Sequence, residues 1–253
     1  MSRLLRSEWR KVMTTKLWWG MLLGAMALAA LGVAGQIGSN GSRGNPAAPL
    51  SSAVTQKAIA ASVAGGFLFS VVLGIILLTT EFRHFTSRPT FLLEPRRGRV
   101  VLAKMLVAAV VGLGYGIACA ATATAIMVLW LGAKGITIGW TSDGVLESLL
   151  SGVLVVAIYA VVGIGIGALL RNQIAAVIGA LAYLFVVEPL ISIIPVVKEI
   201  YRFLPGAAAN ALTGGGRSSA TLLSAWQGGL LLLGWGVFFA TLGWLLTVRR
   251  DIP

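Results

Sequence analysis

Long runs without a charged residue are the dominant pattern in this chain. The run between Lys16 and Arg43 holds 26 uncharged residues, and the run between Glu147 and Arg171 holds 23. Because about 20 apolar residues cross the hydrocarbon core of a bilayer as a helix, each run provides one span and not two. The runs are continuous rather than alternating, which excludes the strands of a membrane β-barrel. We predict six spans: Leu17–Gln36, Ala58–Thr80, Lys104–Leu131, Glu147–Leu170, Ile174–Ile194 and Leu223–Thr247.

Composition supports an all-α, polytopic membrane protein with one transmembrane domain over residues 1–253. Hydrophobic residues make up 57% of the chain and charged residues 11%, and the mean hydropathy is +0.91. Soluble domains carry about 25% charged residues, so this chain lacks the polar surface of a soluble enzyme. Cys119 is the single cysteine, which excludes an internal disulfide.

The distribution of positive charge orients the spans. The net charge is +12, from 20 Lys and Arg against 8 Asp and Glu. If the N-terminus is cytoplasmic, the cytoplasmic segments hold 14 of these 20 basic residues and the outer segments hold 6. Short cytoplasmic loops carry the excess of Lys and Arg in membrane proteins, so we predict that both termini are cytoplasmic. Since the charge follows the membrane topology, it does not indicate nucleic acid as a partner.

Residues 1–16 have the pattern of an amphipathic helix. Leu5 and Trp9 share an apolar stripe, while Arg10 belongs to a stripe of arginines at helical spacing. Such a helix lies in the membrane interface, with the tryptophan at headgroup level and the arginines on lipid phosphates. The alternative is a basic leader that only sets the topology. Glu8 is unexpected in either case, and we expect it to pair with Lys11 one turn on or with a cationic partner.

Residues 81–104 form a short, basic segment that is rich in aromatic side chains. Pro89 and Pro95 bracket little more than one helical turn, and Phe85 and Phe91 lie in or beside it. Exposed aromatic residues on a loop are costly unless something covers them. One interpretation is a positive-inside loop whose apolar residues enter the lipid. The other is a docking site for a soluble partner.

Three motifs give the chain a resemblance to a known family. They are E-F-R-H-F-T at the end of the second span (Glu81–Thr86), P-R-R-G-R-V-V-L-A-K leading into the third (Pro95–Lys104), and R-F-L-P-G-A-A-A-N-A-L before the last (Arg202–Leu212). With the six spans and the N-terminal helix, the chain resembles an ABC-2 type permease, the membrane subunit of a bacterial ABC exporter. The resemblance covers essentially the whole chain.

The resemblance implies a coupling helix in the first cytoplasmic loop, seated in a groove of an ATP-binding subunit. Carried over to this sequence, the ATPase-coupling residues are Glu81, Arg83, Phe85, Thr86, Phe91, Leu92, Glu94 and Arg96. The interfacial helix, with Leu5, Glu8, Trp9 and Arg10, would brace the same joint. Pro89 lies inside the coupling segment, so we expect a short or kinked helix there.

The resemblance also implies what the chain does and what it needs. No Gly-Lys dipeptide occurs in the sequence, so the chain has no Walker A motif and the ATPase would be a separate polypeptide. A second permease chain would be required, in a homodimer or a heterodimer, within the bacterial plasma membrane. A pathway wall of Leu, Val, Ile, Phe and Gly would indicate an amphipathic or lipid-like compound or drug as the cargo. The sequence offers no metal site, no cofactor motif and no catalytic cluster, since His84 is its single histidine.

The outer side offers a second group of candidates. Residues 195–222 form a long, half-apolar loop that is either a re-entrant element or an ordinary interfacial connection. Glu188 is the only charge well inside a predicted span, so it either lines a cavity or lies at the outer interface. With Asn210 it forms a possible pathway or outer gate. The alternative function is a secondary transporter or channel without ATP, although such proteins place several ionisable groups at mid-membrane.

Glycines spaced by four predict close helix packing at two places. They are the pairs Gly112/Gly116 in the third span and Gly163/Gly167 in the fourth. Small residues at this spacing let two helix backbones approach closely in a membrane. We interpret both pairs as packing faces within the chain.

Overall fold

A computed structural model of the protein describes residues 1–40, 48–83, 97–170, 172–194, 198–214 and 222–249. Within these ranges the chain forms helices and no strand, which confirms the all-α prediction. In chain order the helices are α1 (Ser2–Thr14), α2 (Leu17–Ser39), α3 (Ala53–Ala60), α4 (Phe67–Arg83), α5 (Arg97–Ala133), α6 (Val145–Leu170), α7 (Gln173–Ala182), α8 (Glu188–Ile193), α9 (Lys198–Tyr201), α10 (Pro205–Thr213) and α11 (Ala225–Arg249).

Six helical segments of the described chain are long and apolar enough to span a membrane, as predicted. The first, third, fourth and sixth spans are α2, α5, α6 and α11. The second combines α3 and α4, and the fifth combines α7 and α8. The helix of the third span, α5, begins at Arg97, whereas the predicted span begins at Lys104. Charged residues limit the membrane-buried part of a helix without ending the helix itself, so a prediction from charge gaps places this start too late.

The second span is irregular in its middle. Residues Ala61–Gly66 form a turn of 3₁₀ helix between α3 and α4. Small side chains allow close contacts on both sides of this turn. Gln36 of the first span donates a hydrogen bond from Nε2 to the Ala58 carbonyl at 2.6 Å and another to Ser62 Oγ at 2.8 Å. A side-chain amide therefore holds the first two spans together inside the bundle.

The fourth span is the centre of the bundle and packs against the second, third and sixth spans. Gly74 of α4 and Gly163 of α6 face each other where the two backbones touch, and a Cβ atom on either glycine would overlap a carbonyl oxygen of the other helix. A Cβ on Gly116 of α5 would lie 2.8 Å from the Cα of Val153 in α6. The predicted glycine faces are thus packing faces within the chain.

The fifth span widens just before its acidic residue. Residues Tyr183–Val187 form a π-helical segment between α7 and α8, and Glu188 follows it directly. Beyond this span, α10 packs against the fourth and sixth spans, and most of its side chains are buried. The predicted outer loop at 195–222 therefore contains a short buried helix rather than only an irregular connection.

Candidate functional site

Four charged side chains form a closed cluster at the end of the bundle that carries α1. Lys104 Nζ lies 2.6 Å from Glu8 Oε2 and 2.7 Å from Glu81 Oε1. Lys11 Nζ lies 2.6 Å from Glu8 Oε1 and 2.6 Å from Glu81 Oε1. We call Glu8, Lys11, Glu81 and Lys104 the charge cluster. It ties α1 to the last turn of α4 and to α5.

The charge cluster is neutral overall and largely buried. Glu8, Glu81 and Lys104 are 4%, 7% and 3% exposed. Burial by itself would raise the pKa of Glu8, but the ammonium groups of Lys104 and Lys11 outweigh it and lower that pKa below its ordinary value. Burial would likewise lower the pKa of Lys11, and the bonds from Glu8 and Glu81 raise it instead. The charged forms of Glu8 and Lys11 are therefore stabilised by their partners in the cluster.

The cluster contains three residues that the sequence singled out, Glu8, Lys11 and Glu81, and one that it missed. The prediction that Glu8 pairs with Lys11 is confirmed, and the cationic partner on another helix is Lys104. In the sequence, Lys104 is the end of the Pro95–Lys104 motif and the start of the third predicted span, and neither position indicates an acidic partner. The feature of the sequence that points to a cationic partner is Glu8, an acidic residue isolated in a basic leader, which needs a cation beyond its own helix.

The other predicted residues of this end are less enclosed. Arg83 is exposed and its Nη1 atom donates a hydrogen bond to Gln173 Oε1 at 3.4 Å. Leu5 is half-buried against the core, Trp9 is 41% exposed and Arg10 is exposed. The remaining coupling residues lie outside the described residues: Phe85, Thr86, Phe91, Leu92, Glu94 and Arg96.

Glu188, the first residue of α8, lies toward the other end of the bundle and contacts the N-terminus of α10. Its Oε1 atom accepts hydrogen bonds from the backbone N–H groups of Gly206 at 2.6 Å and Ala207 at 3.1 Å. A helix N-terminus offers unpaired N–H groups and a partial positive charge, so it is a favourable place for a carboxylate. A Cβ atom on Gly206 would lie 2.6 Å from both carboxylate oxygens, which leaves room for glycine alone.

A cavity of about 330 Å³ adjoins this carboxylate. Tyr159, Tyr201 and Asn210 line it together with Glu188. Asn210 Nδ2 donates to Tyr201 Oη at 3.5 Å. Burial raises the pKa of the Tyr201 hydroxyl against the effect of that bond, and the charge of Glu188 adds to the increase. The structure thus brings the two predicted outer residues to one cavity and adds two tyrosines that the sequence did not indicate.

Comparison with known families decides the class of the protein. The model of the ABC-2 family transporter proteins matches residues 4–187, well over half of the chain. The chain belongs to the ABC-2 transporter family. No protein with a curated description matches it.

Family membership makes this chain a multi-pass membrane protein and the permease subunit of an ABC transport system. Permease domains of the ABC-2 family work with an ATP-binding subunit and are generally not catalytic themselves. Within the part of the chain that the structure describes, no three His, Cys, Asp or Glu side chains are grouped as a metal site would require. The matched region of this ABC-2 permease includes the whole charge cluster and ends one residue before Glu188.

Proposed function

We propose that this ABC-2 permease couples ATP hydrolysis in a partner subunit to the outward movement of an amphipathic or lipid-like compound. The observation that carries the proposal is the charge cluster. Glu81 lies in the last turn of α4 and Lys104 lies in α5, so the cluster joins the two helices that flank residues 84–96. Both side chains also bind α1. A displacement of residues 84–96 would therefore act on three helices, α1, α4 and α5.

The packing of the second and fourth spans supplies a route from that joint into the bundle. The backbones of α4 and α6 touch at Gly74 and Gly163 without intervening side chains. Ser70 adds a hydrogen bond from its hydroxyl to the Val156 carbonyl at 2.7 Å. Helices that are packed this closely move together, because a close-packed interior deforms very little. Displacement of α4 would then shift α6, which lines the cavity beside Glu188.

The remaining parts of the proposal concern topology, lipid and assembly. We place both termini in the cytoplasm of a bacterial cell and α1 in the membrane interface, where Trp9 is exposed to meet lipid. The fifth and sixth spans carry many exposed apolar side chains, among them Phe185, Ile193 and Phe238. Such faces suit lipid or a second permease chain, so a homodimer or a heterodimer is compatible with them.

The docking segment can be tested directly with the double variant F85S/F91S. We expect it to insert in the membrane normally but to lose the ATP-binding subunit during affinity purification in mild detergent. The matched control W140S alters an exposed aromatic residue in the loop before α6 and should retain that subunit. Equal recovery of the ATP-binding subunit with F85S/F91S and with W140S would contradict docking at this segment. Absence of any such subunit from the wild-type protein would favour a secondary transporter or channel.

A further inference from the structure

The cavity beside Glu188 has the composition of a binding site rather than of a packing defect. It lies between the 3₁₀ turn of the second span, the fourth and fifth spans and α10. Its lining includes one carboxylate, two tyrosines and Asn210, while empty cavities within proteins are lined by apolar groups. Ligand pockets combine an apolar lining with a few convergent polar groups.

Tyr159 is the clearest sign of a missing partner. Its side chain is 2% exposed, its ring centroid lies 4.7 Å from that of Phe67 with the two rings tilted, and its hydroxyl has no hydrogen-bond partner among the described residues. Nearly all buried hydroxyl groups are hydrogen-bonded, because an unpaired one has lost water without replacement. Tyr159 lines the same cavity as Glu188, so a molecule bound there can supply a hydrogen-bond partner for the hydroxyl.

Glu188 determines the sign of the charge that this molecule carries. Its Oε1 atom already accepts two backbone hydrogen bonds, whereas no described residue donates to Oε2. No Lys or Arg is among the described residues that line the cavity. A carboxylate that is 4% exposed and lacks a full positive charge beside it is complementary to a cation with N–H donors.

A second cavity next to the first indicates that the ligand also has an apolar portion. This second cavity, of about 390 Å³, shares Tyr159 and Leu184 with the first. Its lining is otherwise almost wholly apolar and includes Ile166, Trp235 and Phe239. A chamber with several polar groups therefore adjoins an almost wholly apolar one, and Tyr159 and Leu184 line both.

We propose that the two chambers bind a cationic amphiphile of the alkylammonium class. The ammonium group donates hydrogen bonds to Glu188 Oε2 and to the Tyr159 hydroxyl oxygen, and the alkyl chain fills the apolar chamber. This inference rests on the proposed function, because it names the class of compound that the permease would move. The binding step itself requires neither ATP nor a partner subunit.

Binding can be measured by isothermal titration calorimetry on the purified chain in nanodiscs of zwitterionic lipid, without ATP. Decylammonium is the probe, decanol and decanoate are the neutral and anionic probes of equal chain length, and empty nanodiscs give the partition background. We expect saturable binding of decylammonium above that background and none of decanoate. The variant E188Q keeps an oxygen acceptor for the Gly206 and Ala207 amides, and it should weaken decylammonium binding by at least about tenfold.

Matched variants separate a ligand contact from a structural role. Y159F should weaken decylammonium binding while leaving thermal stability unchanged or higher, since it deletes a hydroxyl that has no partner in the described structure. Y115F removes a buried hydroxyl that donates to the Trp18 carbonyl at 2.6 Å, and it should lower stability without changing binding. The control for E188Q is E147Q, which changes an exposed acidic residue in the first turn of α6 in the same way.

Two results would overturn the proposal: equal affinity of decylammonium for wild type and E188Q, or decanoate and decanol binding as tightly as decylammonium. If E188Q does not fold, unchanged binding by Y159F has the same meaning. The outcome is separable from that of the proposed function. Decylammonium binding by a chain from which no ATP-binding subunit can be co-purified would leave the ligand site standing and refute ATP coupling. Recovery of that subunit without any decylammonium binding would do the reverse.

Discussion

Replacing Lys104 by Met is the sharpest perturbation of the charge cluster. The change deletes the bonds of 2.6 and 2.7 Å to Glu8 and Glu81 and leaves two buried carboxylates with one ammonium group. Removing one partner of a buried ion pair costs about 3–5 kcal/mol. Lys11 is 45% exposed, keeps its bonds to both acids and moderates the loss, so we expect a value near the lower limit, about 3 kcal/mol.

Thermal unfolding in mild detergent, followed by tryptophan fluorescence, measures this loss. For a chain of this length about 3 kcal/mol corresponds to a decrease in Tm of about 6–12 °C. The control K134M removes an exposed lysine from the loop after α5 and should change Tm by no more than about 2 °C.

A charge-balanced double variant tests the reason for the loss. E8Q/K104M leaves Glu81 paired with Lys11 and restores neutrality, so it should be more stable than K104M alone. Equal Tm values for K104M and K134M would refute the energetic argument. A double variant no more stable than K104M would show that charge balance is not its basis.

Three further predictions address other parts of the account. Gly74→Val should destabilise the protein by about 1–3 kcal/mol or prevent folding, because the new side chain overlaps the fourth span, and Tm or the yield of monodisperse protein will report it. Lowering the pH should decrease stability as the solution passes below the ordinary Glu8 pKa of 4.5 and then through its lowered folded value, and this loss should be smaller in E8Q. After replacement of the buried Cys119, a cysteine at Ser42 should react with a membrane-impermeant maleimide on whole cells and one at Arg97 should not; the reverse pattern would invert the topology.

Much of the fold follows from the length of uncharged runs. A helix that crosses lipid must form its backbone hydrogen bonds internally and must be apolar over about 20 residues. The number of long uncharged runs in the sequence therefore predicts the number of spans. Helix ends are less predictable, as α5 shows by starting at Arg97 among basic residues. The 3₁₀ turn at Ala61–Gly66 and the π segment at Tyr183–Val187 depend on neighbouring helices and have no local signal.

The candidate site residues likewise differ in how far the sequence predicts them. Glu8 and Glu188 were conspicuous because each is an acid in surroundings that disfavour it. The residues beside them in the structure are not conspicuous. Lys104 is distant in sequence from Glu8, and Tyr159, which lines the same cavity as Glu188, has the sequence context of an ordinary aromatic residue in an apolar span. Long-range pairs arise from how the helices pack, and periodicity along one helix does not specify them.

The most direct test of the central claim is purification of the wild-type chain from native membranes after crosslinking, with the co-purifying proteins identified by mass spectrometry. The account predicts a near-stoichiometric subunit that carries a Walker A motif, and its amount should fall when K104M replaces the wild type. A clean preparation without any ATP-binding subunit would contradict ATP coupling.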